Sequence, residues 1–182
     1  MSASSADNKV KDSPVDLPEE PAFKRILVPT DFSESAEQAL NYAVRLSKPY
    51  RAEIVVLHVF HLREYLALLS EQAQIDSATA NEVLESAKSR AAHNLEEIVR
   101  RQGDKGLALV PSLRIGVPFE EIISYAAEQG IDLIVMPTHG RTGLAHFFLG
   151  STAERVISHS GCPVLVVKTR SAAVAGNKAL RP

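Results

Sequence analysis

A single cysteine, Cys162, is all the thiol this 182-residue chain contains. An internal disulfide framework is therefore excluded, and the usage suits a reducing compartment. No Lys/Arg-rich run and no aromatic-basic stripe is present, and the net charge is only -2. That balance offers no general attraction to phosphate backbones and argues against nucleic acid as the main partner. Apolar runs stay at strand length, short of the ~20 residues that span a bilayer. Residues Met1 to Pro21 mix Ser, Asp, Lys, Glu and Pro without an apolar core, so neither a signal peptide nor an anchor is read there. The expectation is a cytoplasmic protein without membrane insertion. The P-loop pattern GxxxxGK[ST], the dinucleotide pattern GxGxxG and the hydrolase elbow GxSxG are all missing.

What remains is the composition of a globular protein, with 45% hydrophobic and 23% charged residues. The length fits one domain with tails. Residues 1-22 and 170-182 have too few apolar groups to offset their ordering entropy and are expected to be flexible, leaving 23-169 as the domain.

Within that domain, apolar runs alternate with amphipathic stretches. Arg25 to Val28 reads as a buried strand stopped by Pro29, followed by cap candidates from Asp31 to Ser35. Ala36, Ala39, Leu40, Ala43 and Val44 then recur at helical spacing. Ile54 to Val59 is a second strand. Leu62 to Ala73 is weakly amphipathic, a short helix or lid. A longer helix is predicted from about Thr79 to Arg101, with Leu84, Ala87, Ala91, Leu95 and Ile98 on one stripe. Ala108 to Ile115 contains Pro111 and reads as an edge strand. Pro118 opens a helix carrying Ile122, Ile123, Ala126 and Ala127, closed by Gly130. Leu133 to Met136, a helix from Ser151, and Val164 to Val167 complete the pattern. Five strands alternating with four helices predict a doubly wound α/β domain with a mainly parallel sheet and helices on both faces.

The chemistry concentrates beyond strand ends, where doubly wound sheets bind ligands. Asp31 follows the first strand directly, and either caps the first helix or meets a ligand. After the fourth strand comes Pro137-Thr138-His139-Gly140-Arg141-Thr142-Gly143, and further on Gly150-Ser151-Thr152. A helix starting there presents free backbone N–H groups to an anion. Ser151 and Glu154 also stand in capping-box spacing, which needs no ligand. His58, His61 and His139 lack zinc-site spacing and read as satisfied or solvated histidines. Cys162 reads as a small buried residue.

Three stretches together resemble the universal stress protein family. They are Lys24 to Ser33, Thr138 to Gly143, and Gly150-Ser151-Thr152-Ala153-Glu154-Arg155-Val156, and Cys162 to Val167 is similar to the family's last strand. The resemblance spans Lys24 to about Lys168. It implies sheet order 3-2-1-4-5 and a homodimer formed through Val164 to Val167. The family's ATP-binding branch shows G-x2-G-x9-G-[ST]. Gly140 and Gly150-Ser151 match its later elements, while Pro137 occupies the first glycine position.

By that resemblance, Pro29, Thr30 and Asp31 would face the adenosine portion and Val59 would meet adenine through its backbone. Met136 would flank the nucleotide, with Gly140, Gly150, Ser151 and Thr152 around the phosphates. The cofactor expected is ATP or AMP, with Mg or Mn held by the phosphates. The function implied is a nucleotide-binding regulatory protein in stress response with an unidentified protein partner, not an enzyme. The alternatives are an interaction module that binds no nucleotide and a slow ATPase.

Overall fold

The computed structural model describes residues 23–62, 65, 67, 77–103, 107–139 and 149–168. Both predicted tails, most of the 62–73 stretch and Gly140 lie outside these. The element order is β1 (Arg25–Pro29), α1 (Glu34–Tyr50), β2 (Glu53–Phe60), α2 (Ser77–Gly103), β3 (Leu109–Ile115), α3 (Pro118–Glu128), β4 (Leu133–Pro137), α4 (Ser151–His159) and β5 (Val164–Val167). The strands form one sheet in the order β3-β2-β1-β4-β5. All four neighbouring pairs are parallel, so the expected "mainly parallel" sheet is wholly so.

Successive side chains of a strand point to opposite faces, and both faces here are covered. Ile26, Val28, Ile54, Val56 and Val135 pack under α1 and α2, against Ala39, Leu40, Ala43 and Leu95. Leu27, Val55, Leu57, Ile134 and Met136 pack under α3 and α4, against Ile122, Ala126, Ala153 and Val156. This explains why the central strands read as unbroken apolar runs. On α3 the buried set is Ile122, Tyr125 and Ala126, whereas the predicted Ala127 is exposed. Three- and four-residue steps from Ile122 reach Tyr125 and Ala126; a five-residue step leaves the stripe.

The two ends of the sheet are held differently. At the amino ends of the strands, Asp132 Oδ2 accepts from the backbone N–H groups of Lys24 and Arg25 at 2.7 and 2.8 Å. Arg25 reaches Glu53 Oε1 at 2.9 Å and also donates to the Gln129 carbonyl. These bonds tie β1, β2 and β4 together.

At the carboxyl ends β1 and β4 part. Their pairing covers only Ile26↔Leu133 and Leu27↔Ile134, while β1 and β2 stay paired to Pro29↔Leu57. Thr30 N–H donates to Leu57 O in β2, so the nitrogen of Pro29, one residue back, faces β4. Thr138 N–H donates to Val167 O in β5, so the nitrogen of Pro137 faces β1. The next two rungs of the β1–β4 ladder would therefore need N–H groups at Pro29 and Pro137. Proline has none. Two prolines facing one gap stop the ladder from closing at the point where strand order reverses.

Candidate functional site

A cavity of about 610 Å³ lies along the carboxyl ends of β1, β2 and β4. Eight of the nine predicted site residues line it: Pro29, Thr30, Asp31, Val59, Met136, Gly150, Ser151 and Thr152. The ninth, Gly140, lies outside the described residues. Segments more than a hundred residues apart in sequence thus meet at one place, where a doubly wound sheet presents its ligand crevice.

Asp31 is held by a tight local network. Its Oδ1 accepts from Ser33 N–H at 3.0 Å, and Thr30 Oγ1 accepts from Phe32 N–H at 3.1 Å. The cap of α1 is Ser33, whose hydroxyl oxygen accepts from Ala36 N–H at 3.2 Å. Asp31 therefore shapes the turn ahead of the helix and is not its cap. Phe32 sits at φ 66, a left-handed conformation costing a non-glycine residue about 1–3 kcal/mol. Its ring lies 4.3 Å from that of His58, and His58 Nδ1 stands 2.7 Å from Thr30 O. A carbonyl only accepts, so Nδ1 carries the hydrogen there. The strained turn is compensated by these contacts, which fix Asp31 at the cavity wall.

The opposite wall is the start of α4. The N-cap is Gly150, with no side chain capping the helix. This overturns the capping-box reading: Ser151 is already the first helical residue, and Glu154 N–H donates to Gly150 O at 2.9 Å. Gly150 N–H donates to Thr138 O at 2.8 Å, drawing the loop against the end of β4. A Cβ at Gly150 would stand 3.2 Å from Thr138 O. Backbone and helix start meet too closely there for a side chain to be added without displacement. The first-turn amides of α4 have no intrahelical acceptor and carry the positive end of the helix dipole. Beside them His139 Nδ1 lies 2.8 Å from Thr138 Oγ1, and its buried Nε2 has no partner among the described residues.

Several lining residues were not among those expected. Arg90 and Asn94 reach the cavity from α2, with Ala87 and Ala91 between them, and Tyr65 covers part of it. Tyr65 packs 5.1 Å from the Phe60 ring and its hydroxyl donates to Val83 O at 3.3 Å. Cys162 is half-buried rather than buried and lies 3.4 Å from Ser160 Oγ. Among the described residues no group of three His, Cys, Asp or Glu could hold a metal ion. No helix among them is long and apolar enough to cross a membrane.

The model of the universal stress protein family matches residues 22–168. The chain belongs to the universal stress protein family. Among its relatives is universal stress protein MJ0577 of Methanocaldococcus jannaschii, 36% identical over 157 residues, covering 82% of this chain and 97% of that one. Universal stress protein YxiE of Bacillus subtilis is 33% identical over 149 residues, covering 80% and 99%. The solved structure of MJ0577 superimposes with a TM-score of 0.70 at 35% identity, covering 83% of this chain and 99% of that one. The same fold recurs in a universal stress protein in complex with cAMP (21% identity, TM-score 0.56, coverage 81% and 98%). It recurs again in one from Arabidopsis thaliana with AMP bound (18%, 0.58, 85% and 97%).

Proposed function

We propose that this universal stress protein binds ATP or AMP in the cavity and acts as a regulatory protein in the cytoplasm, not as an enzyme. The observation carrying this reading is that one cavity joins Asp31 to the uncapped start of α4 across the β1–β4 gap. Phosphates would meet the first-turn amides at Ser151 and Thr152, beside Gly150, whose own N–H is held by Thr138 O and whose missing Cβ leaves room. The adenosine portion would lie toward Asp31 and Val59, with Met136 beside it. The cAMP and AMP complexes of the two distant fold relatives point to the same ligand class. A magnesium or manganese ion would be held by the phosphates, not by a protein cluster. Regulation follows if the nucleotide binds two states of the protein with different affinity.

Isothermal calorimetry with magnesium and ATP tests this, alongside a turnover assay expected to show no appreciable hydrolysis. We expect saturable binding by the wild type and tighter binding by Pro137→Gly, whose added N–H faces the β1–β4 gap. A donor gained toward a phosphate is worth roughly 1.5–3 kcal/mol. No heat from either protein at millimolar nucleotide leaves the non-binding interaction module as the better reading.

The two sheet edges support a dimer through β5. On β3 the nitrogens of residues 109, 111, 113 and 115 face outward, since Ile54 N–H bonds Ala108 O and Gly116 N–H bonds Phe60 O. Pro111 removes a donor in the middle of that row, a device that discourages pairing. On β5 the bonds to Pro163 O and Val167 O turn odd-numbered residues toward β4, so Val164 and Val166 present N–H and C=O outward. Leu165 is exposed beside them. Sedimentation velocity is expected to show a dimer for the wild type and monomer for Val166→Pro at the same micromolar concentration. A wild type that stays monomeric at high micromolar concentration rejects the dimer.

A further inference from the structure

The cavity has two chemically different ends, because the helices bounding it stand on opposite sides of the strand-order reversal. Helix α4 packs on α3 and β5, whereas α2 packs on β2 and β3. Arg90 and Asn94 therefore border the cavity from the helix over β2, the strand that carries Val59, and not from α4. They sit with Ala87 and Ala91 at helical steps of three and four, on one face of α2. Further along the helix the same face carries Leu95 into the core. At Ala91 it stops filling space and begins to border the cavity.

Neither polar group is held by another element among the described residues. Arg90 Nη1 donates to Ser86 Oγ at 3.2 Å, and among the described residues it makes no ion pair. The Asn94 amide has no hydrogen-bond partner among them. Among the described lining residues Arg90 is the sole Lys or Arg, and it belongs to α2, not to α4, where phosphates are proposed.

Resting on the nucleotide reading above, we propose that Arg90 and Asn94 read the base: Asn94 pairs with the adenine edge and Arg90 lies over its face. An asparagine amide offers one donor and one acceptor side by side, matching the N7 acceptor and N6 donor of adenine. Guanine presents two acceptors on that edge, so the asparagine carbonyl would face another acceptor. A planar guanidinium stacks on any base and does not discriminate between them.

The test compares ATP and GTP dissociation constants, with magnesium, for wild type, Asn94→Ala, Asn94→Asp and Arg90→Gln. We expect the wild type to favour ATP. Asn94→Ala should weaken ATP about tenfold and GTP little, collapsing the ratio, whereas Asn94→Asp, whose carboxylate only accepts, should weaken GTP at least as much as ATP. Arg90→Gln should weaken both nucleotides alike, about threefold, leaving the ratio intact. Both positions are exposed, so melting curves should match the wild type. An unchanged ATP/GTP ratio in Asn94→Ala, with wild-type binding present, overturns the base-reading role alone. Absence of wild-type binding to either nucleotide overturns the nucleotide site and this role with it.

Discussion

Gly150→Val is expected to lower ATP affinity about a hundredfold while the fold, read by circular dichroism, is retained. The backbone at Gly150, φ -64 and ψ 146, is open to any residue, so valine meets no conformational penalty there. The cost comes from space. A Cβ would stand 3.2 Å from Thr138 O and 3.7 Å from His139 Cα. The 2.8 Å bond from Gly150 N–H to Thr138 O leaves that pair little room to separate. Valine's two methyl groups would then occupy the space before the α4 amides. Each charge-assisted bond lost costs roughly 1.5–3 kcal/mol, about ten- to a hundredfold in affinity. Displacing the phosphates as a group puts the effect at the upper end. Gly150→Ala, with a Cβ alone, should fall between the two. Calorimetry gives the affinities and circular dichroism the fold; a valine variant binding as tightly as the wild type would remove α4 from the site.

The largest expected loss of stability is elsewhere, at Ile134→Ala. Ile134 is fully buried in the middle strand of the β1-β4-β5 side, paired with Leu27 on one flank and Val164 on the other. It packs with Leu57, Ile122 and Val156 under α3 and α4. Truncation removes the transfer energy of the lost carbons and leaves a void that neighbours held in paired strands cannot fill. Such changes cost about 2–5 kcal/mol. At roughly 2–4 °C per kcal/mol for a chain of this size, the melting temperature should fall by about ten degrees. Ile134→Val should cost only about 1 kcal/mol. A fall of a degree or less for the alanine variant would show that this layer relaxes freely, contrary to the packing described. Adding saturating nucleotide should recover part of the loss, because a ligand bound only to the folded state raises its stability.

The strands were legible because both faces of the sheet are covered, and a doubly buried strand must be apolar at every position. That is why Ile54 to Val59 and Leu133 to Met136 stood out. That Asp31 lies in a crevice with the end of β4 followed from the rule that ligands sit at the carboxyl ends of parallel strands, whereas Gly150 to Thr152 joined it through the family resemblance. Other features depended on contacts that no local pattern encodes. The helix begins at Ser151 as expected, but its cap is Gly150 and not the Ser151 of the capping-box spacing, because the bond to Thr138 O fixes where the chain enters the helix. Arg90 and Asn94 lie outside the apolar stripe predicted for that helix, and only the placement of α2 over the end of β2 brings them to a cavity. Pro29 and Pro137 each read as a local irregularity. Their joint effect emerges from the register of β1 against β4, which puts both ring nitrogens toward the same gap.

In a dimer formed as proposed through β5, the unequal edges of the sheet would also set the stoichiometry. A subunit with two pairable edges could add neighbours without end, giving an extended filament whose length depends on concentration. With Pro111 interrupting the outer row of β3, only the β5 side would remain competent, and the proposed two-fold contact would consume it. Growth would then terminate at a particle of fixed size. Replacing one imino acid on the opposite edge of the sheet, outside the cavity lining, is thus the change that would put a closed assembly at risk of becoming an open one.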